Sequence, residues 1–285
     1  MSASAPRNSA PSASDGTSLC GYHWAPQGEA AQELAPQGRV LLVHGLGEHL
    51  GRYQGVAEAF LDVGMEVAGV DLRGFGKSQG RRGHLSRWQD YGLDLDQGLA
   101  LLSPGPVLIF GHSMGGLVTL DWLRHQPQDS RVIGLCCSGP LVGNAATPPA
   151  WQHHLAKVLS SLCPILPFPN GIPLEDLSSL SEEVERFRRD PLRIGTVTPR
   201  WYREMLLALD RAWEWIPLAS LPMQLHIAEE ERVISLPALH RLSQRWGGEI
   251  ETHSWPSSRH EIMHDLAQEE FLAQIAAYAQ RLFRG

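Results

Sequence analysis

The chain has 285 residues, with 24 Lys and Arg against 31 Asp and Glu, for a formal net charge of −7. With 43% hydrophobic and 19% charged residues, it can bury a core of ordinary size without disulfides or metals. The acidic balance argues against a nucleic-acid partner, which needs a basic stripe, and no apolar stretch reaches the roughly 18 residues of a membrane span.

Residues 1–17 are rich in Ser, Ala and Pro and lack the apolar core of a secretory signal. They read as a disordered tail on a cytoplasmic protein. From about residue 39, short apolar runs alternate with helical patterns. Strands are predicted at Val40–Val43, Val67–Val70, Val107–Phe110 and Val132–Cys137, and helices at 52–64, at 86–102 and from Met114. Continuous apolar strands separated by helices imply a parallel sheet covered on both faces. The pattern breaks after Pro140: residues 141–216 hold eight of the 20 prolines and several short helical segments, with no clear strand. It resumes with a strand at Met223–Ile227, a helix at 236–246, a strand at Ile250–Trp255 and a helix at 265–283. The expected organisation is an α/β core over 18–140 and 217–285, interrupted by a helical cap over 141–216. Cys20, Cys136, Cys137 and Cys163 contain no CxxC pair and read as buried free thiols of a reducing compartment.

Gly111-His112-Ser113-Met114-Gly115-Gly116 falls between a predicted strand and an apolar helix, the context of a nucleophile elbow. So tight a turn demands almost no side chain two positions before and two after the serine, which are Gly111 and Gly115. The helix start also aims free N–H groups at charge developing on a substrate. In this α/β-hydrolase arrangement an acid and then a histidine follow the serine along the chain. His260, in the loop after the last strand, is the expected base, with His264 in reserve and placed in the final helix. The acid that orients the imidazole belongs in the loop Ala228-Glu229-Glu230-Glu231-Arg232-Val233, where three adjacent glutamates leave the choice open. Two backbone N–H groups must stabilise the oxyanion, one from Met114 and the other from His44-Gly45-Leu46-Gly47, where Leu46 is favoured.

Two other patterns compete. His260-Glu261-Ile262-Met263-His264 matches HExxH of zinc proteases, but a Pro-Ser-Ser turn directly before it argues against both histidines lying on one helix. Gly45, Gly47 and Gly51 miss the dinucleotide spacing by one residue, and the adjacent His153-His154 are weak evidence for a metal site.

In its motifs the chain resembles the monoacylglycerol lipases and lysophospholipases of the α/β-hydrolase superfamily. The resemblance rests on His44–His49 with Arg52-Tyr53, on Asp71–Ser78, on Gly80–His84 and on Gly111–Gly116. Asp190-Pro191-Leu192 and Thr198–Glu204 are similar to parts of that family's cap. The resemblance spans roughly residues 19–284. It implies a mostly parallel sheet with helices on both faces and a helical cap, whose apolar lining receives an acyl chain and for which Leu155–Phe168 is a candidate. It also implies a serine ester hydrolase acting on small lipid esters with no cofactor or metal, and structural roles for Asp71 and Arg73. An apolar cap is suited to transient membrane contact, although no basic amphipathic helix marks it. The family pattern Asp-Arg-Val/Ile is replaced here by Glu231-Arg232-Val233, which nominates Glu231 with Glu230 as the alternative. The family's His-Glu-Ile matches His260-Glu261-Ile262 and favours His260 over His264. Other acyl-transfer chemistry (aminopeptidase, thioesterase, acyltransferase) and a non-catalytic binding protein on the same fold are the rival expectations.

Overall fold

The computed structural model describes residues 6–25, 36–125, 131–145 and 157–284. In chain order its strands are β1 (Arg7–Ser9), β2 (Gly21–Trp24), β3 (Gly38–Val43), β4 (Met65–Val70), β5 (Val107–His112), β6 (Val132–Ser138), β7 (Phe168–Pro169), β8 (Thr196–Val197), β9 (Met223–Ala228) and β10 (Ile250–Trp255). Eight of them form one sheet in the order β1-β2-β4-β3-β5-β6-β9-β10, parallel from β4 through β10.

The central strands are apolar at successive positions because alternate side chains enter two different cores. Along β3, Val40 and Leu42 join one cluster while Leu41 and Val43 join the other. Leu108 and Phe110 of β5 oppose Val107 and Ile109 in the same way. Helices Gln54–Asp62 and Gln268–Arg284 cover the first face through Phe60 and Phe271. Helices Asp90–Ala100, Met114–His125 and Leu236–Arg245 cover the second through Tyr91, Leu117 and Leu239. The chain leaves β3 for β4 on one side, then crosses back over β3 to β5 on the other. Right-handed crossovers running in opposite directions place their helices on opposite faces, which opens a crevice at the carboxyl ends of β3 and β5.

Between β6 and β9 the described residues add no strand to this sheet, but they do contain the short antiparallel pair β7–β8, where no clear strand was expected. Its longest helix, Pro199–Trp215, starts where the Thr198 side chain accepts from Trp201 N. The helix buries Trp201, Met205, Ala208, Leu209 and Ala212, a stripe at helical spacing. Trp201 Nε1 donates to Tyr91 Oη at 2.9 Å, and Arg211 pairs with Asp121 at 2.9 Å, holding this helix onto the core.

Three expectations are corrected. The expected tail carries structure over its described residues 6–17: β1 pairs with β2, which pairs antiparallel with β4, and Asp15 meets Arg73 at 2.6 Å. Composition pointed to disorder because it does not reveal a sheet edge waiting to be covered. Cys163 is exposed rather than buried, and Cys20 is half-buried. Leu155–Phe168 contains a helix over 157–162, and there Val158, Leu162, Ile165 and Leu166 are 46–75% exposed. His153, His154, Leu155 and Ala156 lie outside the described residues. Among the described residues no helix is long and apolar enough to cross a membrane.

Phe110 lies on β5 directly before the elbow, edge-on to Tyr53, Phe60 and Phe271 at centroid distances of 6.2–6.3 Å. Phe110→Ala is expected to lower the unfolding free energy by about 3–5 kcal/mol, measured by urea denaturation.

Candidate active site

At the end of β5 the backbone turns so sharply that Ser113 adopts φ 51°, alone among the described non-glycine residues in having a positive φ. The left-handed region costs an L-residue about 1–2 kcal/mol, and surrounding bonds must hold it there. Ser113 N donates to Ser138 O at 3.0 Å, while Ser113 O accepts from Gly116 N and Leu141 N. The flanking glycines are required: a Cβ on Gly115 would lie 2.2 Å from Val43 O, and one on Gly111 would lie 3.1 Å from Gly116 Cα. Helix Met114–His125 begins at the next residue, so the Met114 N–H belongs to the first turn, where no helical acceptor is available.

The loops after β9 and β10 bring Glu231 and His260 together. His260 Nδ1 lies 2.7 Å from Glu231 Oε2, and their side chains are 3% and 0% exposed. The other oxygen, Oε1, accepts from Val233 N and Ile234 N at 2.8 and 3.1 Å. An ionised, anchored carboxylate makes Nδ1 the donor and leaves Nε2 free to accept a proton. Glu229 and Glu230 are exposed, and Glu230 instead faces Arg259. Burial alone would push the His260 pKa down, but the facing carboxylate outweighs it and holds the pKa above 6.5. In Glu231 burial acts to raise the pKa, and His260 with the two backbone donors keeps it below 4.5. The His112 ring, 4.8 Å from that of His260, is brought down to about 4 by burial and by the neighbouring imidazole.

A second buried cluster joins the loops around this pair. Arg52 donates to Glu48 Oε2 at 2.8 Å and, through both terminal nitrogens, to Glu261 at 2.9 and 2.6 Å. Glu48 Oε1 accepts from Gly45 N and Tyr53 Oη, and Glu261 Oε2 also faces His264 Nδ1. His44 is held neutral by burial, its ring bridging Gly45 O and Leu72 N. The sequence reading quoted Glu48, Arg52 and Glu261 within motifs but gave them no role. Glu48 and Arg52 are four positions apart, but Arg52 and Glu261 are 209 apart, and no local spacing signals that contact. Asp71 accepts from Leu50 N and Lys77 N, and Arg73 grips Asp94, which accords with structural roles. His264 is not in the final helix: it ends the short 3₁₀ turn Ile262–His264. His260 and His264 face different carboxylates and do not converge as one metal site.

Over Ser113 lies an open cleft. Gly45, Leu46, Gly47, Glu48, His112, Ser113, His260 and Glu261 line it from the core. Ile172, Leu174, Leu177, Phe187 and Ile194 supply apolar walls from the segment between β6 and β9, together with Asn170 and Arg193. The described part of Leu155–Phe168, the expected lining, contributes nothing to it. The segment that does contribute is stapled to the core. Ile194 N donates to Gly47 O at 2.8 Å, His49 Nε2 meets Asp190 at 2.9 Å, and the Arg52 guanidinium stacks 3.9 Å from the Phe187 ring centre.

The family model described as serine aminopeptidase, S33, matches residues 35–267. The chain belongs to this family. Among curated S33-like relatives, phospholipase YtpA of Bacillus subtilis is 25% identical, over 86% of this chain and 96% of its own. The monoacylglycerol lipase of Mycolicibacterium smegmatis is 27% identical, over 85% and 88%. Among solved structures, that of Paleococcus ferrophilus monoacylglycerol lipase superposes with a TM-score of 0.82 at 27% identity, covering 93% of this chain and 98% of that one. The resemblance to monoacylglycerol-lipase-like α/β-hydrolases read from the motifs is borne out for this S33 member, as is the fold.

The His260–Glu231 pair is directly testable. The His260 imidazole is expected to titrate above its ordinary value by NMR, and lower in Glu231→Gln than in the wild type, because burial is then opposed only by Glu261 and Glu48.

Proposed function

We propose that this S33-family protein hydrolyses glycerolipid esters carrying one apolar acyl chain, of the monoacylglycerol or lysophospholipid class, using Ser113, His260 and Glu231. The observation that carries this reading is the buried Glu231–His260 pair, whose histidine lines one cleft with a serine held at positive φ. Ser113 Oγ attacks the ester carbonyl and its proton passes to His260 Nε2. The Leu46 and Met114 N–H groups hold the resulting oxyanion. The protonated imidazole then returns the proton to the departing alcohol, and water, activated by the same histidine, releases the fatty acid. None of these steps calls on a cofactor or metal. Ile172, Leu174, Leu177 and Phe187 form an apolar wall suited to the acyl chain. The exposed Val158, Leu162, Ile165 and Leu166 suit transient contact with a lipid surface.

The cleft favours an ester over a peptide with a free N-terminus. An aminopeptidase needs a carboxylate available to the substrate ammonium. Glu175 and Glu183 pair with Arg188 and Arg186, Asp176 faces Arg232, and neither these nor Glu182 line the cleft. The two carboxylates that do line it, Glu48 and Glu261, are both engaged by Arg52.

Ser113→Ala is expected to lower turnover of p-nitrophenyl esters, tested from acetate to palmitate, by several orders of magnitude and to abolish fluorophosphonate labelling. A wild type inert on every ester would refute the hydrolase reading. Glu231→Gln is expected to lower kcat by about 10⁴ because Nδ1 loses the acceptor that sets its tautomer. Glu231→Asp, which restores a carboxylate, should recover part of that loss.

A further inference from the structure

Arg193 lines the same cleft as Ser113 and His260, yet among the described residues it has no carboxylate partner. Its neighbours in the same segment differ. Arg186, Arg188 and Arg189 pair with glutamates of their own helix, and Arg200 pairs with Glu204. The guanidinium folds back over Gly195, where Nη1 lies 3.0 Å from the site a Cβ would occupy. The backbone around it is pinned to the loop after β3. Ile194 N bonds to Gly47 O, Asp190 is held by His49, and Arg193 N itself donates to Asp190 O. The backbone that carries Arg193 is therefore fixed relative to the floor of the cleft rather than free. The negative groups facing the same space are already satisfied. Glu48 accepts from Gly45 N, Tyr53 Oη and Arg52, while Glu261 is engaged by Arg52 and His264. The cleft thus combines an apolar wall, an acyl-transfer site and a single uncommitted planar cation.

Resting on the ester-hydrolase reading above, we propose that Arg193 receives the phosphate of the substrate head group. The preferred substrates are then lysophospholipid-type esters bearing a phosphate rather than neutral monoacylglycerols. A guanidinium fork matches a phosphate with two parallel charge-assisted hydrogen bonds. A neutral glycerol head group would leave that cation without a counter-charge.

The test compares two soluble esters with the same acyl chain, hexanoylglycerol and hexanoylglycerol phosphate, on the wild type, Arg193→Gln and Arg193→Lys. Arg193→Gln should lower kcat/KM for the phosphate ester by about 10- to 100-fold and leave the neutral ester within about 3-fold. Arg193→Lys should keep part of the preference, since it retains the charge without the fork. Glycerol phosphate should inhibit p-nitrophenyl ester hydrolysis by the wild type more strongly than by Arg193→Gln. Circular dichroism matching the wild type and continued fluorophosphonate labelling of Ser113 show that the variant is folded. An equal loss on both esters, or no loss on either, would overturn the role of Arg193 while leaving the ester-hydrolase reading in place. If the wild type cleaves neither ester and Ser113 resists fluorophosphonate, both readings fall together.

Discussion

Arg52 lies buried between Glu48 and Glu261, and the loops that meet around Ser113 depend on that contact. Glu48 belongs to the loop after β3, whose Gly45 N–H it also accepts. Glu261 directly follows His260 in the loop after β10. A guanidinium suits this position because its planar fork donates to both carboxylates at once while its face stacks on Phe187. Burial opposes the ionisation of both acids, yet the shared cation holds them below their ordinary range. Loss of one member would strand the remaining charges in a medium that solvates them poorly.

Polar contacts tie the walls of the cleft above this cluster to the core. Besides the contacts of Gly47, His49 and Arg52, Arg259 donates to the carbonyls of Glu175 and Ser178, and Glu261 N donates to Leu177 O. These bonds place Leu174, Leu177 and Ile194 over the serine. The apolar run at 158–168 is held differently: Arg200 N bonds Pro164 O within the inserted segment, Arg81 of the core reaches Ile165 O, and Val158, Leu162, Ile165 and Leu166 remain open to solvent.

Several parts of this protein were legible from local pattern alone. The predicted strands and helices of the core fall within a few residues of those observed, because continuous apolar runs flanked by turns have few other solutions. The elbow was legible because sterics demand Gly111 and Gly115 around Ser113. Chain order favoured His260 with His264 in reserve, and the family pattern nominated Glu231 while leaving Glu230 open. Where sequence reasoning missed, the decisive partner was distant. Composition suggested a disordered N-terminal tail, but β1 and β2 cover an edge of the sheet. Hydrophobicity nominated Leu155–Phe168 as the lining, but hydrophobicity does not say whether a residue faces a cleft or water.

The sequence by itself determined the fold class and the chain order in which the candidate serine, acid and histidine stand, since these follow from residue type, spacing and chain direction. Only the tertiary structure decided which carboxylate faces His260, which apolar residues wall the cleft, and which cations are already paired. Those outcomes turn on distances between residues far apart in the chain, such as the 209 positions between Arg52 and Glu261. No periodicity along one segment encodes them.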